Sequence, residues 1–503
     1  MTATMLPWSI SRRRLTPILF VVVVVFLTAI FSLYKWPPNS SVRDYLPEWK
    51  HVSLGDFNND TDSDDQPDLK NEKEERLGLD SLPEYNLQPF DTPFCQDRYG
   101  RKYLENLHDS STGHCTPNSQ TNMTCFHSKT AASDPRVDMF CLGKSAVYDP
   151  ADKKFKLGCE QRTLTASETD RGIPGLSSLS SYWYGTGPKV LYDSAVQLHN
   201  NVEGSSPTPN FTILLKREGA WNPWHCLMEI WSLTMSLDVL RTTSDPDTGK
   251  PFFTVEDAEN TQILILDDQD DGPYYEMWTM FAKKPIIRIA DYPDEKKVEN
   301  IILPLAGASN PLWQGDWEAH PCEKSELLHT FTHRILNFYK IDVWAPHQGD
   351  LVLTYIDRKE SRRLIDAELY LEDLKTVIPH LKTQSIDFAA MTFGEQLKIV
   401  RDTDILVGVH GAGLTHGMFL REGSVMVELL PDTLKYKGFR NLAGLVGDTY
   451  LSAHADARLA EEGKNRQDWH KEDIYVGKEK FIEVMKVAVK TLYNKGYRSF
   501  DIV

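Results

Sequence analysis

Four stretches of the chain carry residue types that could do chemistry. The first is 404–431, DILVGVHGAGLTHGMFLREGSVMVELLP. An apolar run, 405–409, stops at His410 and gives way to Gly411-Ala412-Gly413, where backbone can approach a ligand closely. A turn of this kind that opens a short helix aims unpaired N–H groups and a positive helix end at whatever lies over it. That suits an anion such as a diphosphate. His410 and His416 frame the loop, and Glu428 sits in the next apolar run. The spacing is neither G-x-G-x-x-G nor a P-loop with GKS or GKT. Read by itself, the stretch fits a strand-capping His410 and a buried Glu428 ion pair as well as it fits a ligand site.

The second stretch, YIDRKESRR at 355–363, follows an apolar run. Arg358 with Arg362 or Arg363 can grip phosphate oxygens in a bidentate manner, or can be exposed charge at the start of a helix. The third, NPWHCLME at 222–229, has Asn222 to cap a helix and Pro223 for its first turn. Four residues apart, His225 and Glu229 share one face, and a carboxylate beside an imidazole can orient a general base. A structural ion pair has the same spacing. The fourth is Asp267-Asp268-Gln269-Asp270-Asp271. An Asp-x-Asp after a strand can hold a divalent cation beneath a nucleotide diphosphate, and is also a common chance pattern of acidic loops.

The elements that must position these residues alternate. Apolar runs at 210–216, 261–266, 285–289 and 301–304 predict buried strands, and 139–148 with 154–159 predict a hairpin across 149–152. Trp224, Leu227, Ile230, Trp231, Thr234, Leu237 and Leu240 mark the apolar face of a helix, and 326–336 predicts another. Near 341–349 the pattern restarts. Strands are expected at 351–356, 385–389, 405–409, 425–430 and 449–452, with helices at 367–378, 393–401, 414–420 and 478–493. Alternation of this kind predicts an α/β protein with parallel sheet, in two successive lobes with a site in the cleft between them.

The chain has 503 residues, 41% hydrophobic and 11% aromatic, enough for large cores. Its net charge of −17 is uneven: from Arg43 to Asp91 there are 14 Asp/Glu against 5 Lys/Arg. No basic strip suggests nucleic acid. From Leu15 to Tyr34 there is no charged residue, a length that spans a bilayer at ~1.5 Å per residue. Arg12, Arg13 and Arg14 precede it, so the positive-inside rule predicts a cytosolic tail at 1–14, a signal anchor at 15–34 and a lumenal remainder. The acidic, proline-bearing stretch 35–90 reads as a disordered stem. Acceptor motifs for N-glycosylation at Asn39, Asn59, Asn122 and Asn210 fit a lumenal body. So does the crowding of Cys95, Cys115, Cys125, Cys141 and Cys159, which predicts a disulfide-stapled entry region. Seven cysteines leave one over, and Cys226 is the candidate for a buried free thiol.

The stretch EQLKIVRDTDILVGVHGAGLTHGMFLREGSVMVELLP resembles the signature of glycosyltransferase family 61, most specifically in GVHGAGLTH. The likeness runs upstream through TYIDRKESRRLIDAEL, HPCEKSELLHTFTHRILNFYKI and WNPWHCLMEIWS, and covers roughly 210–452. The resemblance implies a GT-B-like α/β fold of two Rossmann-type lobes, an acceptor lobe at 91–340 and a nucleotide-sugar donor lobe at 341–503. It implies a UDP-sugar donor, a glycoprotein or glycan acceptor, inversion at the anomeric carbon and no cofactor or metal, with Asp267–Asp271 reduced to a loop. By position, His410, Gly411, Gly413, Leu414 and Thr415 would cradle the diphosphate, Arg358 and Arg362 would neutralise it, and Glu428 would meet the ribose. His225 and Glu229 would face the acceptor, one of them as base, although Glu229 stands where the family has Asp. The sugar implied is N-acetylglucosamine, with xylose, or a non-catalytic lectin or scaffold, as alternatives. The chain ends Phe500-Asp501-Ile502-Val503, not in an ER-retention tetrapeptide, so the Golgi membrane is the expected location, with the ER as the alternative.

Overall fold

Apolar runs without polar alternation belong inside parallel sheets covered on both faces, and the second half of the chain is built in that way. The structure, a computed structural model, describes residue 85 and residues 92–128, 137–203, 210–294, 297–345, 349–456 and 470–494. The charge-free stretch from Leu15 to Tyr34, the stem, Asn39 and Asn59 lie outside the described residues. Among those described, no helix is long and apolar enough to cross a membrane.

The first sheet contains β1 (Thr112–Gly113), β2 (Met123–Ser128), β3 (Asp138–Asp149), β4 (Lys154–Gly158), β5 (Val196–His199), β6 (Phe211–Leu215), β7 (Thr261–Ile265), β8 (Ile287–Arg288) and β9 (Val298–Leu303). Its main path is β1-β2-β3-β9-β6-β7-β8, with β4 joined to β3 and β5. The pairs β9/β6, β6/β7 and β7/β8 are parallel, whereas β1/β2, β2/β3, β3/β4 and β3/β9 are antiparallel. This lobe is therefore mixed, not a wholly parallel Rossmann-type sheet. Its antiparallel half arises because 123–158 returns through short connections, which allow only antiparallel neighbours.

Disulfides Cys115–Cys159 and Cys125–Cys141 pin that half, the second joining directly opposed residues of β2 and β3. Cys95–Cys322 closes a loop across 227 residues, and Cys226 is free and buried. Asn122 and Asn210 are part-buried in this lobe, Asn210 Oδ1 accepting from Lys284 Nζ at 3.1 Å.

The second sheet contains β10 (Leu351–Ile356), β11 (Leu381–Ile386), β12 (Ile405–Val409), β13 (Val425–Leu430) and β14 (Thr449–His454), all parallel, in the order β11-β10-β12-β13-β14. Counted within this lobe the order is 2-1-3-4-5, a doubly wound sheet. Its connections diverge between β10 and β12, and the carboxyl ends of that strand pair are where such sheets bind ligands.

Helix Pro223–Thr242 departs from the expected single apolar face. Every residue of it except His225 and Arg241 is buried. It runs through the largest core, which takes in side chains of both sheets' helices, so no face of it is left for solvent. Asn222 caps it, its Oδ1 accepting from Trp224 N at 3.0 Å.

Candidate functional site

The carboxyl ends of β10 and β12 bring the first two stretches together. After β12, Gly411 opens a 3-10 helix, Ala412–Phe419, with no side-chain cap, so its first N–H groups are left for a ligand. After β10 the chain carries Arg358 and Arg362 back over the glycine loop. A Cβ built on Gly411 would stand 2.6 Å from Arg358 Nη1 and 3.3 Å from Arg362 Nη1, so the guanidiniums lie against the loop where a side chain would otherwise push them outward. Arg358 Nε donates to Ser361 O at 2.9 Å and Arg362 Nη1 to His410 O at 3.3 Å. Among the described residues no carboxylate pairs with either guanidinium. Burial lowers the pKa of both, and the Arg358 charge helps bring Arg362 to about 10, so each remains charged at neutral pH. Two half-buried, mutually repelling cations without a counter-ion make a strong anion site. Arg362 has φ 54°, a left-handed conformation unusual away from glycine, of the kind held at ligand clamps. Arg363 instead points away to Asp473, with Nη2 2.7 Å from Oδ2, which separates the two arginines that the sequence left as alternatives.

His410 Nδ1 lies 2.6 Å from Glu428 Oε1, and Tyr450 Oη donates to Glu428 Oε2 at 2.6 Å. Glu428 is fully buried with both oxygens occupied. It stands behind His410 and fixes the ring, the buried pairing that the residues themselves suggested, with no exposed oxygen turned to the loop. Leu414 is packed against Gly408, and Thr415 is fully buried, so these two contribute backbone rather than exposed side chains. His416 supports the loop from behind, Nδ1 2.8 Å from Gly413 O and Nε2 2.6 Å from Gln396 Oε1.

The third stretch reaches the same place from the other lobe. Trp224 packs on Tyr436 and Phe439, with ring centroids 6.2 and 5.4 Å apart, and these two rings stand 5.0 and 5.7 Å from that of His410. His225 lies between Trp313 and Tyr184, at 4.5 and 4.8 Å, and burial drives its pKa down to about 4, only partly opposed by the Glu218 backbone. Glu229 does not join it. Its Oε1 accepts from the backbone N–H of Glu218 at 2.7 Å, and a Cβ on Gly307 would stand 2.6 Å from its Cγ. Beside it lies a cavity of about 20 Å³ shared with Glu218, too small for an acceptor. The expected histidine–carboxylate pair is thus corrected. Burial raises the Glu229 pKa well above the usual carboxylate range, with the Glu218 charge adding to the effect.

The fourth stretch is folded around one cation. Arg217, itself 3% exposed, donates Nη2 to Asp267 Oδ1 at 2.8 Å and to Gln269 O at 2.5 Å, and Nη1 to Asp270 O at 3.0 Å. Among the described residues no three His, Cys, Asp or Glu side chains gather as a metal-binding group. Sequence reasoning missed Tyr436 and Tyr450, and also Asp316. A usable signal existed for the first two: 431–437 follows the carboxyl end of β13, and Tyr450 is opposite Met426 one strand on, two residues from Glu428.

Residues 225–427 match the family model for glycosyltransferase 61. The chain is 29% identical over 250 residues to an EGF domain-specific O-linked N-acetylglucosamine transferase of Drosophila melanogaster, an alignment covering 47% of this chain and 44% of that protein. Proteins of the same name from Rattus norvegicus and Canis lupus familiaris are 26% and 29% identical over 196 and 197 residues, covering 38% of this chain and 37% of each. The matched part therefore spans less than half the length of these relatives.

Proposed function

The chain belongs to glycosyltransferase family 61 through residues 225–427, and from that premise we propose that it transfers N-acetylglucosamine from a UDP-sugar to a glycoprotein, with inversion. The observation that carries this reading is the pair Arg358 and Arg362, charged, without a carboxylate partner among the described residues and laid against Gly411 at the switch point of a parallel sheet. A departing diphosphate would fill that place. Free N–H groups of the loop would meet its oxygens and the guanidiniums its developing charge, preorganised stabilisation where the reaction puts charge. His410, fixed by Glu428, borders the same loop. The aromatic set around His225 belongs to the opposite lobe, which fits a GT-B arrangement with the acceptor entering there.

The named relatives support N-acetylglucosamine as the sugar, and an EGF-like domain is the acceptor class to try first. Three disulfides support a lumenal body, for which the stretch from Leu15 to Tyr34 would be the signal anchor in a Golgi membrane. The test is calorimetry of UDP binding together with UDP release from UDP-N-acetylglucosamine by the full-length chain. Arg358→Ala is expected to weaken UDP binding about 10- to 100-fold, as loss of a charge-assisted bidentate contact does. A folded variant with undiminished affinity removes the arginine pair from the donor site.

A further inference from the structure

Neither His225 nor Glu229 suits proton abstraction at neutral pH: His225 is too weakly basic, and Glu229, whose pKa burial raises well above the usual carboxylate range, borders a cavity of about 20 Å³ that no acceptor could enter. Another carboxylate stands where the lobes meet. Asp316 follows helix Pro311–Gln314, between Trp313, whose ring touches His225, and Trp317, which is 59% exposed. Its own loop is tied to the other lobe, because Lys437 N donates to Asp316 O at 2.8 Å. Tyr436 hydrogen-bonds its carboxylate, and the Tyr436 ring stands 5.0 Å from that of His410. Trp317 packs edge-on against the same tyrosine at 5.5 Å. Among the described residues no lysine, arginine or histidine forms an ion pair with Asp316. An enclosed carboxylate without a cation is costly and is rarely kept for stability alone.

We propose that Asp316 is the general base that takes the proton from the acceptor hydroxyl. This rests on the transferase reading above. The acceptor O–H bond breaks and its proton passes to the Asp316 carboxylate. The oxygen's electron pair forms the bond to the anomeric carbon, and the bond from that carbon to the phosphate oxygen breaks. Its electron pair leaves with UDP, facing Arg358 and Arg362. Tyr436 sets the place of the carboxylate and, through its contact with His410, the distance to the donor loop. Trp317, against Tyr436, and Tyr184, against Trp313, are both exposed and offer rings to an acceptor that approaches Asp316.

The basicity agrees with this placement. Burial raises the Asp316 carboxyl to about 7, partly offset by the Tyr436 hydrogen bond, close to the best value for a base working near neutrality. The titratable groups that face it are Tyr436 from the loop after β13, with Glu428 beyond, and Tyr99 from helix Pro93–Tyr99, with Arg98 and His320 beyond.

The experiment uses the full-length chain with UDP-N-acetylglucosamine, with an EGF-like domain or water as acceptor. Asp316→Asn should lower kcat by about 100-fold or more, the range for loss of a general base, while UDP affinity stays within about threefold. Asp316→Glu should restore part of the rate. Tyr436→Phe, which removes the hydrogen bond favouring the carboxylate, should move the acidic limb of the pH–rate profile upward, an effect that a merely structural tyrosine would not produce. If Asp316→Asn keeps more than a tenth of the wild-type kcat, or Tyr436→Phe leaves the acidic limb in place, Asp316 is not the base. A wild-type chain that neither binds UDP nor cleaves any UDP-sugar overturns the transferase reading as well, whereas active wild type with an equally active Asp316→Asn overturns this assignment alone.

Discussion

The two sheets solve the same problem by different means. The nine-stranded sheet mixes antiparallel and parallel pairs, and the six disulfide-bonded cysteines all lie at or before Cys322. The five-stranded sheet is wholly parallel, and residues 323–503 contain no cysteine. Strands β12 and β13 are buried at every position, so hydrophobic burial alone fixes their register. The first sheet starts with the two-residue β1, and β2 beside it is buried at every position as well; there covalent links are added to burial. The glycine loop with Arg358 and Arg362 thus sits on the lobe whose geometry is set by packing. The aromatic set around His225 sits in the lobe that the disulfides brace.

The largest effect that would sharpen this contrast is loss of the Cys95–Cys322 bond. A closed loop of 227 residues restricts the unfolded chain by about 5 kcal/mol at most on the loop-entropy estimate, and removal of such a bond commonly costs ~2–5 kcal/mol. Cys95→Ser with Cys322→Ser is expected to lower the melting transition by several degrees or more, seen by calorimetry. Hydrogen exchange should rise first in helix Pro93–Tyr99 and its neighbours and least in β12 and β13. Uniform loosening of both sheets would break the comparison.

The second effect lies in the parallel lobe. Glu428→Gln keeps the shape but takes the charge from His410 and leaves an amide where two hydrogen bonds end on a carboxylate. A mutated orienting partner typically costs ~10- to 100-fold in activity. UDP release should fall by that order with little change in melting temperature. A large drop in stability with unchanged kcat would make Glu428 a core group and no more.

What could be read from the sequence follows the same division. The glycine loop and Arg358 were legible because their signals are local: an apolar strand, then a turn, in a lobe where strand ends are ligand-facing. Spacing alone left Arg362 and Arg363 as alternatives and the resemblance pointed to Arg362; the physical reason is Asp473, 110 residues on, which holds Arg363. Spacing placed His225 and Glu229 on one helix face but did not say that the helix is buried all round, so Glu229 was misassigned. For Glu428 the residues offered a buried ion pair and the resemblance a ribose contact; the partner, His410, lies 18 residues before it and no local pattern marks the pairing. Asp316 and Tyr436 carry no motif. They meet only because Lys437 binds the Asp316 carbonyl across the lobes.

The smallest effect concerns the carboxylates buried beneath the acceptor side. Glu218 Oε1 accepts from Thr186 Oγ1 at 2.7 Å and from Ala308 N at 3.1 Å, and burial nevertheless raises its pKa to about 7. Glu229 beside it is raised as well. Below about pH 4.5 both the folded and unfolded states hold the Glu218 proton. Between there and pH 7 only the folded state does, so stability falls as pH rises through that window and levels off above it. The melting temperature should therefore decline from pH 5 to 7. Glu218→Gln, which cannot ionise and keeps an acceptor oxygen for Thr186 and Ala308, should lessen the decline, Asp316 and Glu229 supplying what remains. Glu428→Gln, in the other lobe, should leave it intact. If both variants flatten it equally, the pH dependence does not belong to the first lobe, and the buried carboxyl pair there is silent in this range.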